Sequence, residues 1–460
     1  MEGTALEEDF TMSERIVIVG ANHAGTACAN QILAAKPDAE LLIIDRNNNI
    51  SFLGCGMALW IGSQISTGDG LFYCQPEIFR EKGAKVRMET EVTSVDYERR
   101  ILSCRDKKTG AVDELPFDKL VLATGSSPVR PPIPGIELEN IQHAKLFQDA
   151  KKAVEQLQND EHIKRVCVVG AGYIGAELAE AYQRRGKQVT LIDTLDRILG
   201  THFDKDFSDQ MAERLQQNGI ELRLNERVTA FEGEGKVETV VTDKGRVETD
   251  LVLFCIGFRP NSELGGGKLE LFRNGAFQVN LNQETSVPGV YAIGDCATVY
   301  DNSLQATSYI ALATNAVRSG IVAALNICGL KAESLGVQGS SGLCLYDLKM
   351  VCTGQSMYSA EQAGIKAKSV DFRDLQKPAF MNEAGENPEV QIRIVYREDN
   401  HEVIGAQLMS EYDMSAVIHM FSLAIQERVT IERIALLDIF FMPHFNQPYN
   451  YITMAAISAQ

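Results

Sequence analysis

Apolar strands alternate with helical patterns along most of the chain, and two stretches repeat the same order of elements. Each consists of an apolar strand, a glycine turn, a helical pattern and a second apolar strand that ends on an acid. The first begins at Arg15 and ends on Asp45, and the second begins at Arg165 and ends on Asp193. Further apolar strands are predicted at 119–123, 250–256 and 290–293. Alternating strands and helices are typical of doubly wound parallel sheets, so we predict an α/β fold with two Rossmann-like dinucleotide-binding domains.

The hydrophobic pattern changes after about residue 335. Strand-like runs at 390–396 and 403–408 precede a long helical pattern at about 415–427. This order favours a separate α+β domain with an antiparallel sheet. Upstream of it, the four prolines of segment 128–134 exclude a helix interior and indicate a crossover between domains.

The second glycine turn carries the complete G-x-G-x-x-G pattern in Gly170, Gly172 and Gly175. Such a turn at a helix start presents backbone N–H groups and the helix dipole to a pyrophosphate. A carboxylate at Asp193 would bond the ribose hydroxyls and repel a 2′-phosphate, which favours NADH over NADPH. Arg197, four residues further on, could soften that preference.

The first glycine turn departs from the pattern, because Asn22 stands between Gly20 and Gly25 in place of the middle glycine. An ordinary strand-to-helix turn is therefore an alternative interpretation. Asp45, at the end of the next strand, favours a nucleotide site. Two dinucleotide sites in one chain suggest a bound flavin in the first and a diffusing nicotinamide in the second.

Asp295 follows another apolar strand and could hold the ribityl chain of a flavin. A helix is predicted to begin near Thr307 and Ser308 and to continue through Ala313. Its positive end would then stabilise negative charge on the reduced ring. The alternative is an ordinary buried helix with small residues packed on a sheet.

Cys55 lies in the stretch 51–56, just before an apolar segment at 57–61 that is predicted as a short helix. A cysteine at a helix N-terminus has a lowered pKa, and its thiolate can reduce a peroxide and become a sulfenic acid. A buried structural cysteine is the alternative. Trp60 excludes a C-x-x-x-x-C pair, and the nearest other thiol, Cys74, is interpreted as packing. A lone redox cysteine would cycle through sulfenic acid or form a mixed disulfide with a small thiol.

His23 lies inside the first glycine turn, at the predicted helix start. The helix dipole disfavours imidazolium there, so a neutral ring is expected. It could bond a peroxide oxygen or the Cys55 sulfur, or it could be a helix-capping or backbone-bonded histidine.

Composition narrows the choice of partners. The 460 residues include 44 Lys and Arg against 62 Asp and Glu, for a net charge of −18, which argues against nucleic acid and anionic membrane surfaces. No stretch reaches the roughly 18 apolar residues of a spanning helix. Ten cysteines spread singly, without C-x-x-C or His-pair spacing, favour free thiols in a reducing cytoplasm and no metal site.

Taken together, these motifs resemble the flavoprotein disulfide reductase superfamily, and most closely its single-cysteine group of NADH oxidases, NADH peroxidases and coenzyme A disulfide reductases. The resemblance runs from about Arg15 over nearly the whole chain. Within the group it is greatest to the water-forming NADH oxidases, around His23 and in 57–62. The motifs that carry it are 20–25, 51–57, 123–125, 172–175, 294–297 and 444–449.

The resemblance implies FAD as bound cofactor, NADH as electron donor and a homodimer. It also implies that an NAD domain is inserted into the FAD domain. The expected divisions are a flexible tail at 1–12, the FAD-binding domain at 13–130 and 266–334, the NAD-binding domain at 131–265, and a C-terminal α+β dimerisation domain at 335–460.

Matching motif positions imply the site residues. Cys55 and His23 would be catalytic. Tyr173 would cover the flavin until the nicotinamide displaces it, and the tail 441–449 would pack beside the partner subunit's flavin. FAD contacts are expected at Gly20, Asn22, His23, Ala24, Asp45, Cys55, Ala123, Thr124, Gly125, Lys145, Asp295, Leu312 and Ala313. The NADH path is expected along Gly170, Gly172, Tyr173, Ile174, Asp193, His202, Gly257, Ala311 and Gly342, although a phenol rather than His202 is the expected aromatic at that position.

The implied reaction is the four-electron reduction of O2 to two waters by two NADH, with oxygen detoxification as its use. Cys55 would cycle between thiolate and sulfenic acid with assistance from His23. An NADH peroxidase or a coenzyme A disulfide reductase of the same fold is the alternative, and a non-catalytic flavin redox sensor is a second one. Segment 50–79 contains no Lys or Arg, which argues against phosphates of coenzyme A near Cys55.

Overall fold

A computed structural model describes residues 14–384 and 387–459. The tail expected at 1–12 lies outside the described residues. Within them, three five-stranded sheets form the framework, and the smaller elements are attached to these sheets.

The first sheet is parallel throughout, and its central strand Arg15–Val19 is buried from Ile16 onward. Its apolar β-branched side chains have a helical layer or another sheet on each face, as parallel sheets require. The strand order is Val290–Ala292, Lys119–Leu122, Arg15–Val19, Glu40–Ile44 and Lys85–Arg87. Helices His23–Ala35 and Ala313–Ile327 pack on each other beside this sheet.

The second sheet repeats the arrangement, again with every strand parallel. Its order is Glu221–Arg223, Gln188–Ile192, Arg165–Val169, Leu251–Phe254 and Ile141–Gln142. Its helices are Phe147–Asn159, Tyr173–Arg184 and Lys205–Gln217. The two parallel sheets confirm the predicted α/β fold class with two Rossmann-like units.

The third sheet is antiparallel, as the change of pattern after residue 335 predicts. Its order is Ser341–Leu345, Leu348–Gly354, Val403–Ser410, Glu389–Arg397 and Ala367–Leu375. Helices Met357–Gln362, Val417–Gln426, Ile431–Ala435 and Tyr451–Ile457 accompany it, and the long helix predicted at about 415–427 is the second of these.

Smaller elements complete the described chain. Two further sheets have three strands each. One consists of Thr90–Asp96, Ile101–Asp106 and Val112–Pro116, and the other consists of Val228–Glu232, Thr239–Thr242 and Arg246–Glu248. Two further antiparallel pairs are Ser126–Pro128 with Phe258–Pro260, which are distant in the chain, and the hairpin of Val299–Asp301 with Ala306–Ser308. Short helices are Met57–Ile61 and Pro76–Glu81, with 3-10 turns at Gly54–Gly56, Asp69–Leu71, Glu263–Gly265, Gly294–Cys296 and Ala379–Ala384.

One predicted boundary is wrong. The helix expected to begin near Thr307 and Ser308 begins at Ala313. The cause is that Ala306–Ser308 pairs as a strand with Val299–Asp301, and Leu312 is still extended. The small-residue pattern did not indicate that hairpin.

Nowhere in the ranges 14–384 and 387–459 does a helix combine the length and the apolar character needed to cross a membrane.

Candidate functional site

One cavity of about 1780 Å³ brings the two repeated units together. Both glycine turns line it, as do Cys55 from the first unit and Gly342 from the antiparallel sheet. Every residue predicted to contact FAD or to lie on the NADH path is on its wall. The geometry therefore makes a single site out of positions that are hundreds of residues apart in the chain.

The space at the first glycine turn is filled by backbone carbonyl groups, which leave no room for a Cβ on Gly20 or Gly25. Gly20 has φ +100°, and a Cβ added there would lie 2.2 Å from the carbonyl oxygen of Ala123. A Cβ on Gly25 would lie 1.9 Å from the carbonyl oxygen of Gly20. Only glycine fits both positions, so the helix His23–Ala35 starts directly against the end of the strand.

The second turn has the same construction. A Cβ on Gly170 would lie 2.5 Å from the carbonyl oxygen of Cys255, and one on Gly175 would lie 1.8 Å from that of Gly170. A Cβ on the middle glycine, Gly172, meets no protein atom within 4 Å. The middle position therefore has room for a side chain, which explains why the first turn tolerates Asn22. The residues present fit a dinucleotide at each turn.

The two acids that end the second strands hold their glycine turns in the same way. The Asp45 carboxylate accepts hydrogen bonds from the backbone N–H of Ala21 at 2.7 Å and of Asn47 at 2.8 Å. The Asp193 carboxylate accepts from Ala171 at 2.6 Å and from Leu195 at 2.8 Å. Each carboxylate is thus fixed at the cavity wall with lone pairs remaining for ribose hydroxyls.

Arg197 does not lie on this cavity. Its guanidinium stacks on the ring of Tyr358, 4.4 Å from the centroid, and its side chain lines a separate surface cavity. The expectation that Arg197 softens the preference set by Asp193 is therefore wrong. The sequence spacing suggests proximity to Asp193, but the side chain packs instead against Tyr358 on the helix Met357–Gln362.

Cys55 lies in the 3-10 turn Gly54–Gly56 that leads into the helix Met57–Ile61, and it is exposed toward the cavity. Although Cys55 is exposed to the cavity, desolvation by the surrounding protein raises the pKa of its thiol, the nearby Glu177 carboxylate raises it further, and Lys145 acts in the opposite direction. The expected lowering of the Cys55 pKa is therefore wrong. The helix that follows has only five residues, so its dipole does not outweigh desolvation.

An aromatic cluster supports the Cys55 loop from behind. Trp60 stacks on Phe147 at a centroid distance of 5.5 Å, and Phe52 and Phe72 pack around the same Phe147 ring. Trp60 thus acts as a packing residue at the position where a second redox thiol would stand. Cys74 is buried, as predicted, and all ten cysteines are free thiols in the described chain.

His23 is the first residue of its helix and lies on the cavity wall. Burial lowers its pKa, Asp295 raises it and Lys145 lowers it again, so the predicted neutral ring is confirmed. Burial, rather than the helix terminus, is the main cause. The ring is bonded to a side chain instead of the backbone, because its Nδ1 lies 3.0 Å from the Tyr73 hydroxyl.

Asp295 is the centre of a polar cluster on the cavity wall. Its carboxylate accepts from the Lys145 ammonium at 3.0 Å and from the Ser126 hydroxyl at 2.8 Å. Together these partners hold the pKa of Asp295 below its ordinary value despite burial, which acts in the opposite direction. The Lys145 ammonium also lies 4.3 Å from the centroid of the Phe258 ring.

Tyr173 is the first residue of the helix Tyr173–Arg184, which follows the second glycine turn, and its hydroxyl contacts the antiparallel sheet. Its hydroxyl lies 2.9 Å from Ser341 Oγ and 3.6 Å from Cys352 Sγ. Its ring packs on His202 with a centroid distance of 4.7 Å, and burial lowers the pKa of His202. A neutral imidazole thus takes the place of the phenol that the resemblance implied.

The sequence reasoning missed Ser126 and Glu177, which lie on the cavity wall, and Tyr73, whose hydroxyl contacts His23. Of these, Glu177 carried a usable signal, because it lies one helical turn after Tyr173 on the same face. Ser126 is placed by the pairing of Ser126–Pro128 with Phe258–Pro260, and Tyr73 by the bridge between Phe52 and Phe72. No local sequence pattern predicts either pairing.

Two dinucleotide-type folds that share one cavity with the exposed thiol of Cys55 define a nucleotide-dependent oxidoreductase. The chain belongs to the pyridine nucleotide-disulphide oxidoreductase family. The family's main profile matches residues 14–320, and the profile of its dimerisation domain matches residues 340–450.

Several proteins of known name are similar to this chain over almost its full length. An NADH oxidase of Streptococcus pneumoniae is 52% identical over 460 residues, covering 97% of this chain and 99% of that protein. An NADH oxidase of Lactococcus lactis is 48% identical over 449 residues, covering 97% of this chain and 100% of that protein. The structure of the water-forming NADH oxidase from Lactobacillus brevis bound to NADH superposes with a TM-score of 0.94 at 40% identity, covering 97% of this chain and 98% of that one.

Proposed function

We propose that this protein is an FAD-dependent NADH oxidase that reduces O2 to water with four electrons from two NADH. The observation that carries the proposal is the single cavity in which both glycine turns, Cys55 and His23 meet. Relatives that match almost the full chain and are named NADH oxidases support it.

The chain's residues suit this task. The first turn and Asp45 would hold FAD, and the second turn and Asp193 would hold NADH. FAD, when bound, supplies a redox ring that exchanges hydride with NADH and electrons with oxygen. Asp295 and Ser126 fix the Lys145 ammonium, a charged hydrogen-bond donor, on the cavity wall. Tyr173 is the first residue of the helix that follows the second glycine turn.

Cys55 would complete the reduction of oxygen. Its thiolate attacks hydrogen peroxide, the O–O bond breaks, and sulfenic acid and hydroxide form. A second NADH supplies two electrons that return the sulfenic acid to thiolate with release of water. The neutral His23 ring would hydrogen-bond the peroxide oxygen and orient it toward the sulfur.

The stoichiometry of the purified enzyme tests this function. We expect two NADH consumed per O2, without accumulation of hydrogen peroxide, because Cys55 reduces the peroxide before it leaves the cavity. An oxygen electrode and NADH absorbance measure the ratio, and a peroxidase-coupled dye measures peroxide. A ratio of one with peroxide released would contradict the proposal.

Asp193→Asn tests the proposed NADH preference. The amide keeps the shape but removes the charge and one of the two acceptors that hold Ala171 and Leu195. Hydrogen bonds to charged groups are worth about 1.5–3 kcal/mol, so we expect the KM for NADH to rise about tenfold or more. The KM for NADPH should fall, because the repulsion of a 2′-phosphate is gone. Unchanged selectivity would exclude Asp193 as the ribose ligand.

We further propose a cytoplasmic homodimer in which the tail 441–449 lies beside the partner subunit's flavin. The support is the match of 340–450 to the family's dimerisation domain and the exposed apolar side chains near the C-terminus, with Leu436 87% and Tyr449 74% exposed. Sedimentation of the holoenzyme tests the dimer, and a monomer would contradict it.

A further inference from the structure

Tyr73 contacts His23 in a defined geometry. The Tyr73 hydroxyl oxygen lies 3.0 Å from His23 Nδ1, and the two rings are parallel to within 5°. The Tyr73 side chain is 47% exposed, so its ring is available to pack against His23 without being part of the core.

The backbone of Tyr73 is tied to the segment that carries Cys55. Phe72 forms a bridge with Phe52, and the backbone N–H of Leu53 donates to the carbonyl of Leu71 at 2.8 Å. On the other side, the buried Ser51 hydroxyl donates to the Cys74 carbonyl at 2.7 Å and accepts from the Cys74 N–H at 2.9 Å. Tyr73 is therefore held on both flanks by the segment 51–53 that leads into Cys55.

The protonation states determine the direction of the hydrogen bond. Burial raises the pKa of Tyr73 to about 12 and lowers that of His23, so both groups are neutral near neutral pH. A phenol is a better donor than a neutral imidazole N–H, and an imidazole nitrogen is a better acceptor than a phenol oxygen. The Tyr73 O–H therefore donates to Nδ1, and the ring proton of His23 resides on Nε2.

We propose that Tyr73 is a positioning residue that fixes His23 as the Nε2–H tautomer and couples its ring to the Cys55 segment. This proposal rests on the proposed role of His23 as a hydrogen-bond donor to peroxide. Nε2–H is then available as a donor to an oxygen or sulfur acceptor in the cavity. Without Tyr73, the ring could rotate or exchange tautomers.

Tyr73→Phe in the holoenzyme tests the proposal. Nitrogen NMR of enzyme labelled at the side chains of its seven histidines reports the tautomer directly, and His23→Gln assigns the His23 signals. We expect the Nε2–H form to dominate in the unmodified enzyme. The ratio of the two tautomers should fall about fivefold in Tyr73→Phe, which corresponds to about 1 kcal/mol for one neutral hydrogen bond.

Tyr97→Phe is the matched control, because it removes a phenol that donates to the Leu264 carbonyl at 2.8 Å and does not contact His23. An unchanged tautomer ratio in Tyr73→Phe, or an equal change in Tyr97→Phe, would overturn the proposal. Failure of the proposed function would instead appear as peroxide release by the unmodified enzyme, and the NMR comparison would still decide the role of Tyr73. A rise in peroxide yield in Tyr73→Phe but not in Tyr97→Phe supports the proposal.

Discussion

Cys55→Ser is expected to change the product from water to hydrogen peroxide while NADH oxidation continues. The serine hydroxyl has a pKa far above that of a thiol and cannot form a stable sulfenic acid, so it does not reduce peroxide. NADH and O2 would still meet in a cavity whose glycine turns and acids are unchanged. We expect about one peroxide per NADH in place of essentially none, which exceeds any change expected from the other variants.

The control for this variant is Cys344→Ser. Cys344 is the other exposed thiol of the described chain and lies on the strand Ser341–Leu345. Its replacement removes a thiol without touching the Cys55 loop. Peroxide is measured by a coupled dye during steady-state turnover. If Cys55→Ser still produces only water, or if Cys344→Ser releases peroxide equally, Cys55 is not the peroxide-reducing group.

Local pattern was enough to predict most of the fold. Strands such as Arg15–Val19 and Arg165–Val169 are continuous apolar runs, and each is followed by glycines whose positions admit no Cβ. The clash of a Gly25 Cβ with the Gly20 carbonyl, and that of a Gly175 Cβ with the Gly170 carbonyl, are local in the chain, so a single sequence displays these two constraints. The helix start at Ala313 escaped prediction because the preceding segment Ala306–Ser308 pairs as a strand with Val299–Asp301, a hairpin that the small-residue pattern does not indicate.

The chemistry of the site was only partly predictable, because charge and burial come from distant segments. The pKa of Cys55 illustrates this. A nearby helix terminus suggests a lowered value, but desolvation and the carboxylate of Glu177, which lies far along the chain, raise it. Tyr73 escaped for a related reason: its link to His23 depends on the bridge between Phe52 and Phe72.

Glu177→Gln is expected to stabilise the protein at alkaline pH. Burial, together with the nearby Glu180 carboxylate, raises the pKa of Glu177 from 4.5 to about 7. The folded state therefore binds more protons than the unfolded state between these values. The favourable contribution is fully present below pH 4.5 and is lost as the pH rises through about 7. At about 1.4 kcal/mol per pKa unit, the loss reaches about 3 kcal/mol.

Glutamine mimics the protonated carboxyl at every pH, so the variant should lack this loss. We expect the Tm of Glu177→Gln to equal that of the unmodified protein near about pH 5 and to exceed it by several degrees near about pH 8. Glu155→Gln, an exposed substitution on the helix Phe147–Asn159, is the control and should show no such divergence. Parallel Tm curves for Glu177→Gln and the unmodified protein would show that Glu177 ionises normally.

The same variant should make Cys55 more reactive. Glu177 is the second largest cause of the raised Cys55 pKa, after burial. Its charge develops as the pH passes about 7, so the carboxylate opposes formation of the thiolate in the range where the enzyme needs it. Alkylation of Cys55 above that pH should be faster in Glu177→Gln, because the thiolate fraction is larger. Equal alkylation rates would mean that burial alone controls the pKa of the Cys55 thiol, and that the Glu177 carboxylate affects only the stability of the fold.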